Sequence, residues 1–265
     1  MSVPKAIYAS FADAWLIDGV RTPFVDYNGA LSLVSPTDLA IKAARAVFER
    51  SGLSPEDAGI VITGNMAQAS FDVYMLPRHV GLYSGVPEHV PAHMVQRVCG
   101  TGIEVIMQAS DAVSLGRADL ALCVGAESMS RNPVASYTSR TGFRMGQVEF
   151  KDFLWEALID TSCGWNMGET AENLAKRHGI TREDADAFAA RSFARAVAAQ
   201  TNGVLADEIV PIENESFARD DFDPRGIKLP GKEDAVTRDS HVRPSPVETL
   251  AKIRPAFRRL TSRIA

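Results

Sequence analysis

The run Met94-Val95-Gln96-Arg97-Val98-Cys99-Gly100-Thr101-Gly102-Ile103-Glu104-Val105-Ile106 decides how the chain is read. An extended stretch ends at the cysteine, two glycines follow, and a helical spacing of apolar residues begins at once. The order is strand, turn, helix. It places a thiol at a helix N-terminus, where backbone N–H groups lack intrahelical partners and the helix dipole is positive. A thiol in such a setting is favoured as thiolate and serves as a nucleophile near neutral pH. On these residues alone, Cys99 fits equally well as a small buried hydrophobe.

Moving outward, the same alternation recurs. Ala14 to Val20 is a strand candidate closed by Arg21-Thr22-Pro23. Ser35, Pro36 and Asp38 form a helix start, with Leu39, Ala43, Val47 and Phe48 on the apolar face and Ser51-Gly52 as the stop. Gly59 to Gly64 is a short buried strand, Met75 to Tyr83 a helix, and Val90 to Val98 the extended segment that delivers Cys99. The helix after Cys99 is expected to use Ile103, Ile106, Met107, Ser110 and Val113 as one face. Asp119 to Gly125 is a further apolar strand. Strands alternating with helices imply an α/β fold with a largely parallel sheet.

Past Gly125 the texture changes. Residues 129–165 are rich in Ser, Arg, Gly and aromatics, with little periodicity. Two helices follow, Met167 to His178 ahead of Gly179, and one capped by Thr181 with Asp184 that runs to Asn202-Gly203. Asp207 to Ile212 reads as a strand, residues 213–246 as a polar excursion, and Val247 to Ile253 as a short helix. The division is therefore an α/β domain over residues 1–128, completed by 247–258, a loop domain over 129–246, and a divergent tail over 259–265.

The chain has 265 residues, 46% hydrophobic and 23% charged, enough for a large core of ordinary globular composition. A net charge of -5 gives no global basic field for nucleic acid or an anionic membrane surface. No apolar run approaches the ~18–20 residues of a spanning helix. Met1 to Tyr8 lacks the charged and apolar regions of a signal peptide. Three cysteines, an odd number, argue for free thiols in a reducing compartment, and a cytoplasmic location is expected. The five histidines show no metal spacing, no C-x-x-C is present, and Gly100-Thr101-Gly102 is too short for a dinucleotide fingerprint.

Five stretches, in order, resemble the thiolase family. They are Val20-Arg21-Thr22-Pro23-Phe24, Val98-Cys99-Gly100-Thr101-Gly102, Gly125-Ala126-Glu127-Ser128-Met129-Ser130, Met167-Gly168-Glu169-Thr170-Ala171-Glu172-Asn173, and Leu250-Ala251-Lys252-Ile253-Arg254-Pro255-Ala256-Phe257. The resemblance implies a layered α/β sandwich with an inserted loop domain that binds coenzyme A. It implies acyl transfer between CoA thioesters, forming or cleaving acetoacetyl-CoA or another 3-ketoacyl-CoA, with Cys99 carrying the acyl group. Coenzyme A is then a substrate, no permanently bound cofactor is expected, and the complete protein is expected to be a homo-oligomer, dimer or tetramer. Leu158, Met167 and Arg243 are the positions it assigns to the pantetheine and adenine region. Arg131, Arg140, Arg144 and Lys151, set against Glu149, suit the CoA phosphates, a subunit partner's acidic face or equally a solvated basic loop. Asn166 stands where the family commonly has a histidine. Cys123 and Cys163 read as structural.

The family's second half supplies an Asn-Glu-Ala-Phe segment, a Gly-His-Pro histidine and a Cys-x-Gly-Gly-Gly cysteine. None of these occurs in the 265 residues. After Phe257-Arg258 the chain reads Arg259-Leu260-Thr261-Ser262-Arg263-Ile264-Ala265 in place of the family's glycine-rich continuation. The expectation is an N-terminal thiolase half without the C-terminal domain. A catalytically inactive CoA- or partner-binding remnant is the alternative.

Overall fold

Ser35 shows how directly local sequence sets the first helix. Its hydroxyl accepts the Thr37 N–H at 3.1 Å and Pro36 occupies the first turn, opening α1 (Pro36–Ser51). Gly52, at φ 70°, closes the helix by donating its N–H to the Phe48 carbonyl. The computed structural model describes residues 10–68 and 72–257. Met1 to Tyr8 and the tail over 259–265 lie outside the described residues.

Three parallel strands follow, β1 (Ile60–Gly64), β2 (Ala92–Val95) and β3 (Ala121–Gly125), in the order β2-β1-β3. Gly64 is in register with both Val95 and Gly125, so the C-terminal ends of all three strands share one edge. The connection from β1 to β2 carries α2 (Leu76–Tyr83), and that from β2 to β3 carries α3 (Thr101–Ser114). α1 and α2 pack together on one face, where Val61 meets Gly81. On the other face Ile62 and Val95 pack with Val105 and Ala109 of α3. Adjacent residues Val61 and Ile62 point to opposite faces of the strand, so the sheet is covered on both sides. The expected α/β fold with a parallel sheet is present.

Several expectations change. Residues 14–20 form no strand: Arg21 alone makes a parallel bridge, to Ile209, while Trp15 and Leu16 are 84% and 78% exposed. This run is apolar on both sides and no strand among the described residues pairs with it, so β propensity has nothing to act on. The buried face of α3 is Thr101, Val105, Ala109 and Ala112, and Ile103 is 65% exposed. Both faces of that helix are apolar enough to serve, and contact with β1 selects between them.

Residues 213–246 are no solvated excursion. Ile212 and Phe217 are wholly buried, with Ile227, Leu229 and Val236 nearly so. Strands Glu215–Phe217 and Arg225–Ile227 pair antiparallel, as do Ile212–Glu213 and Ala235–Val236. Their charges are partnered: Lys42 pairs with Glu215, and Arg225 bridges Asp38, at 2.9 Å, and Asp72. Asp38 therefore faces Arg225, and burial raises its carboxyl while the guanidinium opposes that shift. Arg45 donates to the Tyr83 carbonyl and stacks on the Phe217 ring. A segment dense in charge is thus clamped to α1 and α2.

The described residues divide into two compact units. The first comprises residues up to Pro23, Tyr27–Arg131 and Glu208–Thr237; the second comprises Phe24–Asp26, Asn132–Asp207 and the residues from Arg238. This differs from a cut at 128 with 247–258 rejoining the first domain. The clamps around Phe217 hold 208–237 in the first unit, whereas Arg182 holds the carbonyls of Leu250 and Ile253 within the second.

The second unit pairs β4 (Val134–Ala135) with β5 (Lys151–Asp152), followed by α4 (Phe153–Ala157). β6 (Ile159–Asp160) pairs with β7 (Trp165–Asn166) ahead of α5 (Met167–His178). α6 (Arg182–Thr201) and the short α7 (Val247–Leu250) complete it. Asn166 with Glu169, and Thr181 with Asp184, form reciprocal capping boxes.

Phe217→Ala is expected to destabilise the protein by roughly 3–5 kcal/mol in urea unfolding, because it empties a closed site. A loss below about 1 kcal/mol is what a solvated loop would give.

Candidate active site

The C-terminal edge of the sheet gathers the chemistry. In parallel α/β sheets, loops leaving this edge are the usual ligand site, at the point where successive connections depart to opposite faces. Here those are the connections after β1 and β2. Cys99 lies four residues past the end of β2 and two before α3, with its side chain exposed.

The turn that carries Cys99 is sharp. Val98 has φ 48°, in the left-handed region that β-branched residues avoid. Such a conformation costs about 1–3 kcal/mol. Gly100 donates its N–H to the Arg97 carbonyl at 3.0 Å, and Thr101 to the Val98 carbonyl at 3.1 Å. The Thr101 hydroxyl donates to the Val98 carbonyl at 2.6 Å and accepts the Arg97 N–H at 2.8 Å. Two such bonds contribute about 1–3 kcal/mol together, enough to offset the strain.

Gly64 lets α3 begin this close to β1. A Cβ there would lie 2.5 Å from the Thr101 methyl and 3.0 Å from Val105. In the first turn of α3, Glu104 pairs with Arg97 at 2.7 Å; hydrogen bonds from Gln108 and then Arg97 hold its carboxyl below the usual range. An acid in the first turn also suits the helix dipole.

The neighbouring loops are tied to one another. Glu127, beyond β3, accepts the N–H groups of Met66 and Ala67 at 2.9 and 3.1 Å, and the Asn65 amide at 3.2 Å. Asn65, 2% exposed, also donates to the Ala126 carbonyl and accepts the Gln68 N–H. Gln96 donates to the Met66 carbonyl at 3.3 Å. Thus the loops after all three strands form one hydrogen-bonded rim beside Cys99. In the sequence Glu127 stands in a family-like stretch without a role, and nothing singles out Asn65 or the Thr101 hydroxyl. Their signal is position alone: each stands within a few residues of a strand end or a helix start.

The remaining cysteines separate from Cys99. Cys123 lies within β3, and burial pushes its thiol up to about 11. Cys163 is exposed in the β6–β7 turn. None of the five histidines falls in the loops after β1, β2 or β3. His79 stacks edge-on to Tyr83, His93 bonds Gln108 and His241 pairs with Asp26.

In the second unit, Leu158 and Met167 flank the register pair Ile159↔Asn166 of the β6–β7 hairpin, Leu158 closing α4 and Met167 opening α5. Arg243 stacks its guanidinium on the Phe193 ring of α6, 5.3 Å from the centroid. Asn166 is the N-cap of α5, accepting the Glu169 N–H. Of the basic residues, Lys151 pairs with Glu149 and Arg131 donates to the Leu33 carbonyl, while Arg140 and Arg144 are exposed. Gly168 meets the Phe257 ring, with no room for a Cβ, so the fourth and fifth family-like stretches touch. Among the described residues no group of His, Cys, Asp and Glu is arranged to hold a metal.

A family model described as the thiolase N-terminal domain matches residues 14–262. The chain is 36% identical over 247 residues to the human mitochondrial 3-ketoacyl-CoA thiolase, covering 92% of this chain and 59% of that protein. It is 36% identical over 241 residues to a probable acetyl-CoA acyltransferase of Staphylococcus aureus (strain COL), covering 90% of this chain and 58% of the relative. The crystal structure of human mitochondrial 3-ketoacyl-CoA thiolase in complex with CoA superimposes with a TM-score of 0.81 at 37% identity, over 91% of this chain and 57% of the other. The chain thus spans somewhat under three fifths of the length of these relatives. The strand–turn–helix around Cys99, the parallel sheet and near end-to-end similarity to this one domain agree: the chain belongs to the thiolase family, through its N-terminal domain.

Proposed function

We propose that this chain supplies the acyl-carrying half of a thiolase-type acyltransferase. The observation that carries the reading is the exposed Cys99 thiol on a strained turn at the start of α3, above the C-terminal edge of a parallel sheet. The Cys99 sulfur attacks the ketone carbon of a 3-ketoacyl-CoA. The bond between that carbon and the α-carbon breaks, acetyl-CoA leaves with its α-carbon protonated, and the acyl group remains as a Cys99 thioester. The thiol of a second CoA takes the acyl group and restores Cys99. In the synthetic direction, acetyl-CoA acylates Cys99 first.

Proton transfer in this scheme needs a base beside the thiol and an acid at the α-carbon. The histidine and cysteine segments that the resemblance assigns to those tasks are not among the 265 residues, and no described histidine lies on the site's loops. The reading is therefore acyl acceptance by this chain, with turnover dependent on groups outside it. Leu158, Met167 and Arg243 are the proposed CoA contacts; the β6–β7 hairpin, which joins the end of α4 to the start of α5, supports the first two. The exposed Trp15, Leu16 and Ile17 support association with a further apolar surface, as in a homo-oligomer. Three free cysteines support a reducing compartment such as the cytoplasm.

Incubation with acetyl-CoA is expected to place a hydroxylamine-labile acetyl group on Cys99, slowly, and Cys99→Ala abolishes it. Acetyl found on Cys163 instead, or on neither, overturns the carrier reading. Rapid thiolysis of acetoacetyl-CoA by the 265-residue chain overturns the dependence on outside groups. Saturable CoA binding by calorimetry with no acetylation of Cys99 would favour the alternative, a CoA-binding remnant.

The thiols are expected to alkylate unequally. At about pH 8 a thiol raised to about 11 remains protonated, so Cys123 resists iodoacetamide while Cys99 and Cys163 react. Denaturant should release Cys123. Peptide mass spectrometry reads all three, and native labelling of Cys123 as fast as Cys163 would contradict its burial.

A further inference from the structure

Thr101 joins the two residues that precede Cys99. Its hydroxyl accepts the Arg97 N–H and donates to the Val98 carbonyl, while its methyl rests against Gly64. The side chain is 7% exposed and thus fixed by packing as well as by hydrogen bonds. We propose that Thr101 is a positioning residue for acyl transfer: its hydroxyl holds Val98 in the left-handed conformation and so keeps the Cys99 thiol presented at the start of α3. This rests on the acyl-carrier reading of Cys99, and it extends that reading to a residue acting through the backbone of 97–98.

The chemistry of Val98 makes an external clamp necessary. Glycine enters the left-handed region freely, and asparagine stabilises itself there by local hydrogen bonds. Valine does neither, and its branched Cβ favours return to the extended region. The backbone bonds from Gly100 and Thr101 close the turn, but neither satisfies the Arg97 N–H. Only the Thr101 hydroxyl, among the described residues, bonds both that N–H and the Val98 carbonyl. Serine reproduces this hydroxyl. Valine reproduces the shape and the contact with Gly64 without it.

The test is the rate of iodoacetamide modification at Cys99, read by peptide mass spectrometry on the folded 265-residue protein, with Cys163 in the second unit as internal standard. T101V is expected to slow Cys99 about tenfold relative to Cys163, since the strained turn relaxes. T101S is expected to stay within about twofold of the parent, because the hydroxyl pair survives. Equal Cys99 rates in T101V and the parent overturn the proposal. So does a T101S protein as slow as T101V, since packing alone would then explain the effect. Should T101V unfold, T101A against T101S isolates the hydroxyl at nearly constant volume: a slow T101A beside a normal T101S supports the clamp, and equal rates overturn it. A parent that alkylates normally at Cys99 yet accepts no acetyl group refutes the carrier reading and leaves the clamp to be judged by alkylation alone.

Discussion

The approach of α3 to β1 at Gly64 sets the position of everything around Cys99. With no side chain at Gly64, Thr101 reaches the end of β1 and Val105 packs into the cluster with Ile62 and Val95. The face of α3 that looks at the sheet is thereby fixed, and so is the height of its first turn above the strand ends. Thr101, buried by that contact, is then placed where its hydroxyl meets Arg97 and Val98. A missing methyl on a strand, an apolar cluster under a helix and a strained turn above it form one continuous constraint. Its last member is the Cys99 sulfur.

The rim around this turn follows the same logic at lower cost in strain. Loops leaving three parallel strands at one edge expose backbone N–H groups that need acceptors. Glu127 and Asn65 supply them, binding the loop after β1 to the loop after β3, and Gln96 links the loop after β2. Once its groups are partnered, such a rim holds its shape without a ligand. Preorganisation of that kind is what covalent catalysis asks of the structure around a nucleophile.

How far the sequence showed this depends on distance along the chain. Ser35, Gly52, Thr181 and Gly179 act within one helical turn, and each was legible from neighbouring residues, whereas the capping role of Asn166 was not singled out. The turn that carries Cys99 was legible because strand, glycine and helix follow one another within a dozen positions. The burial of Phe217 was not, because it depends on Arg45 and on charges that find partners about 170 or more residues away. A charged segment whose charges are paired reads in one dimension as a solvated one. The buried face of α3 was misassigned for a related reason: Ile103, Ile106 and Val113 compete with Val105, Ala109 and Ala112, and only the strand beneath it decides. Thr101 passed as one member of a Gly-Thr-Gly turn, since its importance lies in a dihedral angle that composition does not display.

The same distinction separates the two halves of the proposed chemistry. Presenting a thiol requires only a strand end, a turn and a helix start, all local and all within this chain. Moving protons to and from a carbon needs titratable groups brought in from elsewhere, because Glu104, the acid in the first turn of α3, is engaged by Gln108 and Arg97, which hold its carboxyl below the usual range. The loops after β1, β2 and β3 contain glutamate, asparagine and glutamine, but Glu127 is committed to Met66, Ala67 and Asn65. A carboxylate with both oxygens engaged by donors on its own rim is a structural anchor and a poor base. The presentation of Cys99 is therefore built by this domain's fold, and the proposed acyl transfer takes its acid–base chemistry from groups outside the rim.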